Sequence, residues 1–231
     1  MSDRIRTKLL NVLYKNQWKA LESLLPEIGP ELIREALEVC FDYAHVECAQ
    51  LLLPLANARD KSNLLDIAMV SEQAYDQDKL LALLLPDFNE KECERVAIRC
   101  CEYGWGGVFS QVVDRAPEHR RNSLKLDWAA TQGNLNEVRV FLDKCSEGER
   151  DRAMYLATEC SQWETVKFLI PLCNAHKVLE DFKTEQYYQH GSYLNTIEQL
   201  KNMIETVECE QQRERLCANI EMGSLSSKRK L

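Results

Sequence analysis

A doublet of large apolar residues followed by Pro or Asp recurs along the chain. It reads Leu24-Leu25-Pro26, Leu52-Leu53-Pro54, Leu84-Leu85-Pro86, Val112-Val113-Asp114, Phe141-Leu142-Asp143 and Leu169-Ile170-Pro171. The third residues are spaced by 28, 32, 28, 29 and 28, a register that chance does not produce six times over. Within the fifth unit, Leu126, Ala129 and Ala130 fall at i, i+3 and i+4, one face of a first helix. Gly133 then predicts a left-handed stop, since a residue without Cβ adopts positive φ freely. Asn134 is placed to accept backbone hydrogens at the start of a second helix, whose buried stripe is Val138, Phe141 and Leu142. Pro or Asp after the doublet helps end that helix.

The other units keep this scheme with substitutions. The first has Leu9, Val12, Leu13, a stop at Asn16, then Leu21 and Leu24; the second has Leu37, Cys40, Phe41, Ala44-His45, Ala49 and Leu52. The fourth has Ala97, Cys100, Cys101, Gly104, Phe109 and Val112, and the sixth has Met154, Ala157, Thr158, Val166, Leu169 and Ile170. In the third, Leu65, Ala68 and Met69 align only with four residues inserted near Glu72–Tyr75, which predicts a protruding loop. The prediction is an all-α chain of six helix-turn-helix units near 5–29, 30–59, 60–90, 91–119, 120–148 and 149–178.

Helix, tight turn, helix and short loop at about 28 residues resembles the ankyrin repeat, with Ala129-Ala130, Gly133-Asn134, Glu137-Val138 and Phe141-Leu142 matching the second half of that family's signature. The family's repeat is about 33 residues and opens on Thr-Pro-Leu-His, and no unit here has that tetrad. The shorter length implies that the protruding hairpin is cut to a bare loop. With Asn57-Ala58-Arg59 and Asn174-Ala175-His176-Lys177 after the Pro marks, the units look like the shortened repeats of bacteriophage, prophage and some intracellular-bacterial proteins. The resemblance covers about residues 5–178 and implies an ankyrin-like solenoid. Tetratricopeptide and related αα-solenoids use 34 residues or more, so they fit worse.

After Pro171 the pattern dissolves. Phe182, Tyr187 and Tyr188 stand among charges, then Leu194, Ile197, Leu200, Ile204, Val207, Leu216 and Ile220 recur at helical spacing. Solenoids need capped ends, so residues 179–222 are expected to form a helical cap. The alternative is a partner or homodimer helix, because 197, 200, 204, 207 and 211 follow an a/d rhythm that Gln211 interrupts. The last residues, 223–231, with Lys228-Arg229-Lys230, are expected to be a flexible basic tail.

Composition narrows the function. Gly (8) and Pro (6) are too few for an all-β chain of many tight turns. A formal charge of −8 disfavours direct nucleic-acid binding and fits a basic protein partner instead. No apolar run reaches the ~20 residues that span a bilayer. The opening Met1-Ser2-Asp3-Arg4 lacks a secretory apolar stretch, so the expected compartment is a reducing cytoplasm, which the resemblance to phage repeats implies is that of a bacterial host. The ten cysteines are then read mostly as small core residues rather than disulfides or zinc ligands, no Cys-x-x-Cys being present.

No catalytic pattern emerges. Gly104-Trp105-Gly106-Gly107 lacks the Lys-Ser/Thr of a phosphate loop, and carboxylates such as Glu90/Glu92 and Glu147/Glu149 sit at i, i+2, where side chains diverge. A Cys–His nucleophile would have to come from Cys145, Cys160 or Cys173 with His176. The chain is therefore expected to be a non-catalytic binding module with no cofactor and no metal.

What the resemblance implies about binding falls on two columns flanking the core position. One reads Leu10, Glu38, Asp66, Ile98, Asp127 and Tyr155; the other reads Asn11, Val39, Ile67, Arg99, Trp128 and Leu156. Glu38, Asp66, Arg99, Asp127, Trp128 and Tyr155 are the candidate protein-binding residues, being acidic, aromatic or arginine. The expected function is occlusion of a host defence or nucleic-acid-handling protein by a phage or prophage product. The alternative is a secreted bacterial effector that binds a eukaryotic host protein.

Overall fold

The computed structural model describes residues 2–70, 74–186 and 194–228, and among these there is helix and turn but no strand. The helices are α1 (Ser2–Tyr14), α2 (Trp18–Leu24), α3 (Pro30–Asp42), α4 (Val46–Leu52), α5 (Ala58–Val70), α6 (Ala74–Leu84), α7 (Glu90–Tyr103) and α8 (Gly106–Val112). They continue with α9 (Glu118–Thr131), α10 (Leu135–Leu142), α11 (Glu147–Glu159), α12 (Trp163–Leu169), α13 (Ala175–Gln186) and α14 (Leu194–Lys228).

The turn between the two helices of a pair is set by one backbone conformation. Asn16, Ala44, Gly104, Gly133 and Ser161 occupy the same register position and all have positive φ, from 48° to 74°. The N–H of the next residue reaches back five positions: Gln17 to Val12, His45 to Cys40, Trp105 to Cys100, Asn134 to Ala129 and Gln162 to Ala157. This closes the last turn of the first helix and satisfies a carbonyl that would otherwise lack a donor. The second helix then starts at once, and at α10 the Asn134 side chain accepts from the Glu137 N–H.

The apolar doublets end the second helices as their sequence suggests. After α2, α4, α6, α8 and α12 the chain tightens into a short 3-10 turn, over Leu25–Glu27, Leu53–Leu55, Leu85–Asp87, Val113–Arg115 and Ile170–Leu172. In four of these the second residue is Pro, which needs no amide partner at the start of a helical turn. First helices restart from caps. Asn89 and Glu92 form a reciprocal capping box at α7, and Pro30 follows Gly29 at α3.

The described chain divides into two units, residues 1–118 and 119–231. In unit 1 the first helices pack in chain order, α1 on α3 and α3 on α5, while the second helices pack α2 on α4, α4 on α6 and α6 on α8. The core lies between those rows, with Leu9, Leu13, Leu21, Leu37, Phe41, Leu52, Leu65, Leu81, Ala97 and Val112 buried. Arg115 fastens the loop of the neighbouring pair, donating to the carbonyls of Leu85 and Phe88 at 2.7 and 2.6 Å.

In unit 2, α11 packs on α12 and on α13, and α13 and α12 both pack on α14. One core cluster runs through Leu126, Ala130, Val138, Met154, Val166, Leu169, Val178, Leu200, Ile204 and Val207. The expected break at residue 178 falls inside α13. Phe182 stands 28 residues after Met154, as Met154 stands 28 after Leu126, and all three are fully buried. The repeat therefore runs one first helix further than its Pro marks suggest, and α14 supplies the helix paired with it.

Helix α14 continues to Lys228. Residues 229–231 lie outside the described residues, as do Tyr187 and Tyr188 and residues 71–73 of the expected insertion loop. No described helix is long and apolar enough to cross a membrane.

Candidate protein-binding surface

Successive first helices leave open depressions between them, and several candidate residues line these. Near the starts of α1, α3 and α5 a depression of about 740 Å³ is bordered by Asp3, Arg6, Glu31, Glu35, Glu38 and Asp60. Between α5 and α7 a second, about 380 Å³, is bordered by Met69, Arg95, Ile98, Arg99 and Glu102. In unit 2 a third, about 230 Å³, lies between α11 and α13 and is bordered by Asp151, Arg152, Tyr155, Lys177 and Asp181.

Ion pairs between neighbouring first helices organise the charges. Arg6 pairs with Glu35 and Asp66 with Arg95 in unit 1, and Arg120 pairs with Glu149 in unit 2, each 29 residues apart. The hydrogen bond from Arg6 holds the Glu35 carboxyl below its ordinary range. Backbone and side-chain donors of Ser146 do the same for Glu149, with Arg120 adding to the effect. The two pairs of unit 1 lie on a wet surface and contribute little stability, so their charges remain open to competition by a partner, while Arg120 and Glu149 are half-buried.

The six candidate residues fare differently. Glu38 and Asp66 face solvent: Glu38 lies 3.8 Å from Arg34, and Asp66 accepts from Arg95 at 2.6 Å. Arg99 is half-buried, donating to Glu102 at 2.7 Å while its guanidinium lies over the Tyr103 ring at 4.4 Å. Its Nε is buried without a hydrogen bond. Trp128 is half-buried. Tyr155 is half-buried too, its ring 5.2 Å from that of buried Phe182.

Asp127 is a correction. Expected among the exposed acids, it is only 1% accessible, and both carboxylate oxygens lack a hydrogen bond. Burial pushes its carboxyl up to about 7, against the opposing pull of Arg152 and Arg120. Arg152 and Glu149 of the next first helix, α11, lie near it, whereas Asp66 faces an exposed Arg95. Asp127 cannot touch a partner directly.

Sequence reasoning also missed a set of exposed aromatics at the first-helix ends in unit 1. Tyr14, Tyr43 and Tyr103 are 56%, 47% and 42% exposed, and Trp18 opens α2 nearby. Tyr14 meets Tyr43 edge-on at 5.5 Å, Tyr43 stacks on His45 at 5.9 Å, and Tyr103 stacks on Trp105 at 5.0 Å. The signal was available as an aromatic one residue before the left-handed position at Tyr43 and Tyr103, and two before it at Tyr14, positions with no role in the apolar pattern.

Burial works against the thiols of the Cys–His candidates as nucleophiles. Burial pushes the Cys145 thiol up to about 11 and Cys173 up to about 12, and it raises Cys160 as well, so these thiols stay protonated. His176 is exposed and its Nε2 contacts Glu208 at 2.8 Å. Six of the ten cysteines are buried, and all ten are free. Among the described residues, no three His, Cys, Asp or Glu side chains gather as a metal ion requires.

Charge is unevenly divided between the units. Residues 1–118 carry 13 Lys and Arg against 20 Asp and Glu, and residues 119–231 carry 16 against 17, giving −7 and −1. Comparison of the chain with protein-family models, with curated proteins and with solved structures finds no match.

Proposed function

We propose that this chain is a non-catalytic protein-binding module built as a shortened ankyrin-like solenoid. It acts by occupying a basic surface of a host protein, such as a defence or nucleic-acid-handling factor, inside a bacterial cell. The observation that carries the reading is the chain-order packing of first helices with charged depressions between them, bordered by Glu38, Arg99 and Tyr155. Stacked helix pairs of this kind offer a broad surface to a macromolecule rather than a closed pocket to a small substrate. The −7 charge of unit 1 supports a basic partner, since complementary fields speed encounter and set orientation. The resemblance to phage and prophage repeats supports the antagonist role.

Site-specific photo-crosslinking tests this. A crosslinker placed in turn at Glu38, Asp66, Arg99 and Tyr155 is expected to capture one bacterial protein, while one at exposed Val140 on α10 captures none. Capture only from a further crosslinker at exposed Leu216 on α14 would overturn the assignment of the binding face.

A further inference from the structure

We propose that the aromatic edge formed by exposed Tyr14 and Tyr43, backed by half-buried His45, docks an arginine- or lysine-bearing segment of the partner. This rests on the protein-binding reading and gives the partner's contact point a chemistry.

Tyr14 is the last residue of α1, and Tyr43 caps the end of α3, so successive first helices deliver them side by side. Their rings touch edge to face, and His45 extends the row by stacking on Tyr43. Large rings left this exposed in a contiguous group mark a contact surface more often than scattered apolar residues do. An aromatic face is electron-rich and attracts a cation placed over it.

The chain already uses that chemistry at neighbouring aromatics. Arg99 covers the Tyr103 ring, at the equivalent helix end two pairs on, and Lys19 Nζ lies 5.3 Å from the Trp18 ring centre. No cation of the described residues lies over Tyr14 or Tyr43. Exposed Asp42 and Glu47 flank Tyr43 and His45 in the chain, and the unit around them carries −7. Burial lowers the proton affinity of His45, whose Nε2 has no hydrogen bond, so this ring stays neutral and does not repel a cation. Arginine suits the row better than lysine, because a planar guanidinium stacks on a ring while an ammonium does not.

The test is fluorescence anisotropy of labelled octa-arginine and octa-lysine with the full chain at physiological salt. The paired variant Tyr14→Leu/Tyr43→Leu removes both rings and changes no charge, and Tyr14→Phe/Tyr43→Phe keeps both rings. Octa-arginine is expected to bind more tightly than octa-lysine. The leucine pair should weaken octa-arginine binding at least about 5-fold, while the phenylalanine pair stays within about 2-fold. If the leucine pair fails to fold, Tyr14→Leu alone is read, with a smaller loss expected in the same direction. No binding to the wild-type chain, or equal binding by the leucine pair, overturns the proposal. Binding that survives the leucine pair but falls with Glu38→Gln/Asp66→Asn overturns it while leaving the first-helix reading intact.

Discussion

The Arg152 guanidinium lies 3.1 Å from Oδ2 of Asp127, yet neither oxygen of that buried carboxylate accepts a hydrogen bond. The pair has the distance of an ion pair without the geometry of a hydrogen bond. Arg152 is partly wet and Asp127 is dry, so the carboxylate loses its hydration and recovers only part of it. Arg120 adds to the attraction, and nearby Glu149 opposes it.

A pH dependence of stability follows from Asp127. Its folded value of about 7 lies above the ~3.9 of an unfolded aspartate, so between those values the folded chain holds a proton that the unfolded chain has lost. Stability from this residue is therefore highest below about pH 4 and falls as pH rises to about 7. Asp127→Asn removes the titration. The difference in unfolding free energy between variant and wild type should shift in the variant's favour from pH 5 to pH 8, by on the order of 2 kcal/mol. Thermal melts of both proteins across that range check it, and a constant difference would refute it.

The left-handed turn residues make a second prediction. Ala44 has φ 55° and pays the Cβ penalty of that region, which glycine escapes. Ala44→Gly should stabilise the chain by roughly 0.5–1 kcal/mol, or about 1–4 °C in Tm. Gly133→Ala runs the other way. Its φ of 68° strains any Cβ, and that Cβ would also strike the Gln162 side chain, which must then move. A loss of roughly 1–2 kcal/mol is expected by denaturant unfolding.

Much of this was legible in the chain. The doublets and the i, i+3, i+4 faces predicted the helix pairs, because a buried stripe has to repeat whenever one unit packs on the next. Leu9, Leu37, Leu65, Ala97, Leu126 and Met154 are accordingly all buried. Asp127 could not be read as buried, since Glu38 and Asp66 occupy the same column and are exposed to different degrees by side chains from other parts of the sequence. The tyrosine edge was missed because exposed aromatics obey no apolar period. Phe182 was missed because no Pro mark follows it, although its spacing from Met154 repeats the register.

Phe182 supplies a third prediction. It is fully buried on α13 and meets Tyr155 of α11, so Phe182→Ala removes a ring that two first helices share. The expected cost is about 3–5 kcal/mol, enough to lower Tm by roughly 10 °C. A cap that merely rests on the last pair would lose far less. Circular dichroism melts of this variant distinguish an integral first helix from a detachable one.

Thiol chemistry gives the last prediction. Cys209 and Cys217 on α14 are exposed, while Cys40, Cys48, Cys93, Cys100, Cys101 and Cys145 are buried. Burial raises the thiol of Cys93 and pushes Cys100 up to about 12, which removes the thiolate that attacks a disulfide reagent. In the folded chain two thiols should react promptly with Ellman's reagent at pH 8, with Cys160 and Cys173, half-buried, following slowly. The six buried thiols should report only after denaturation. Cys209→Ser/Cys217→Ser should abolish the fast phase and leave the rest unchanged. A fast phase of more than two thiols in that double variant, beyond what Cys160 and Cys173 can supply, would mean the packed helix pairs open on the timescale of the reaction, and the core described above would not be the resting one.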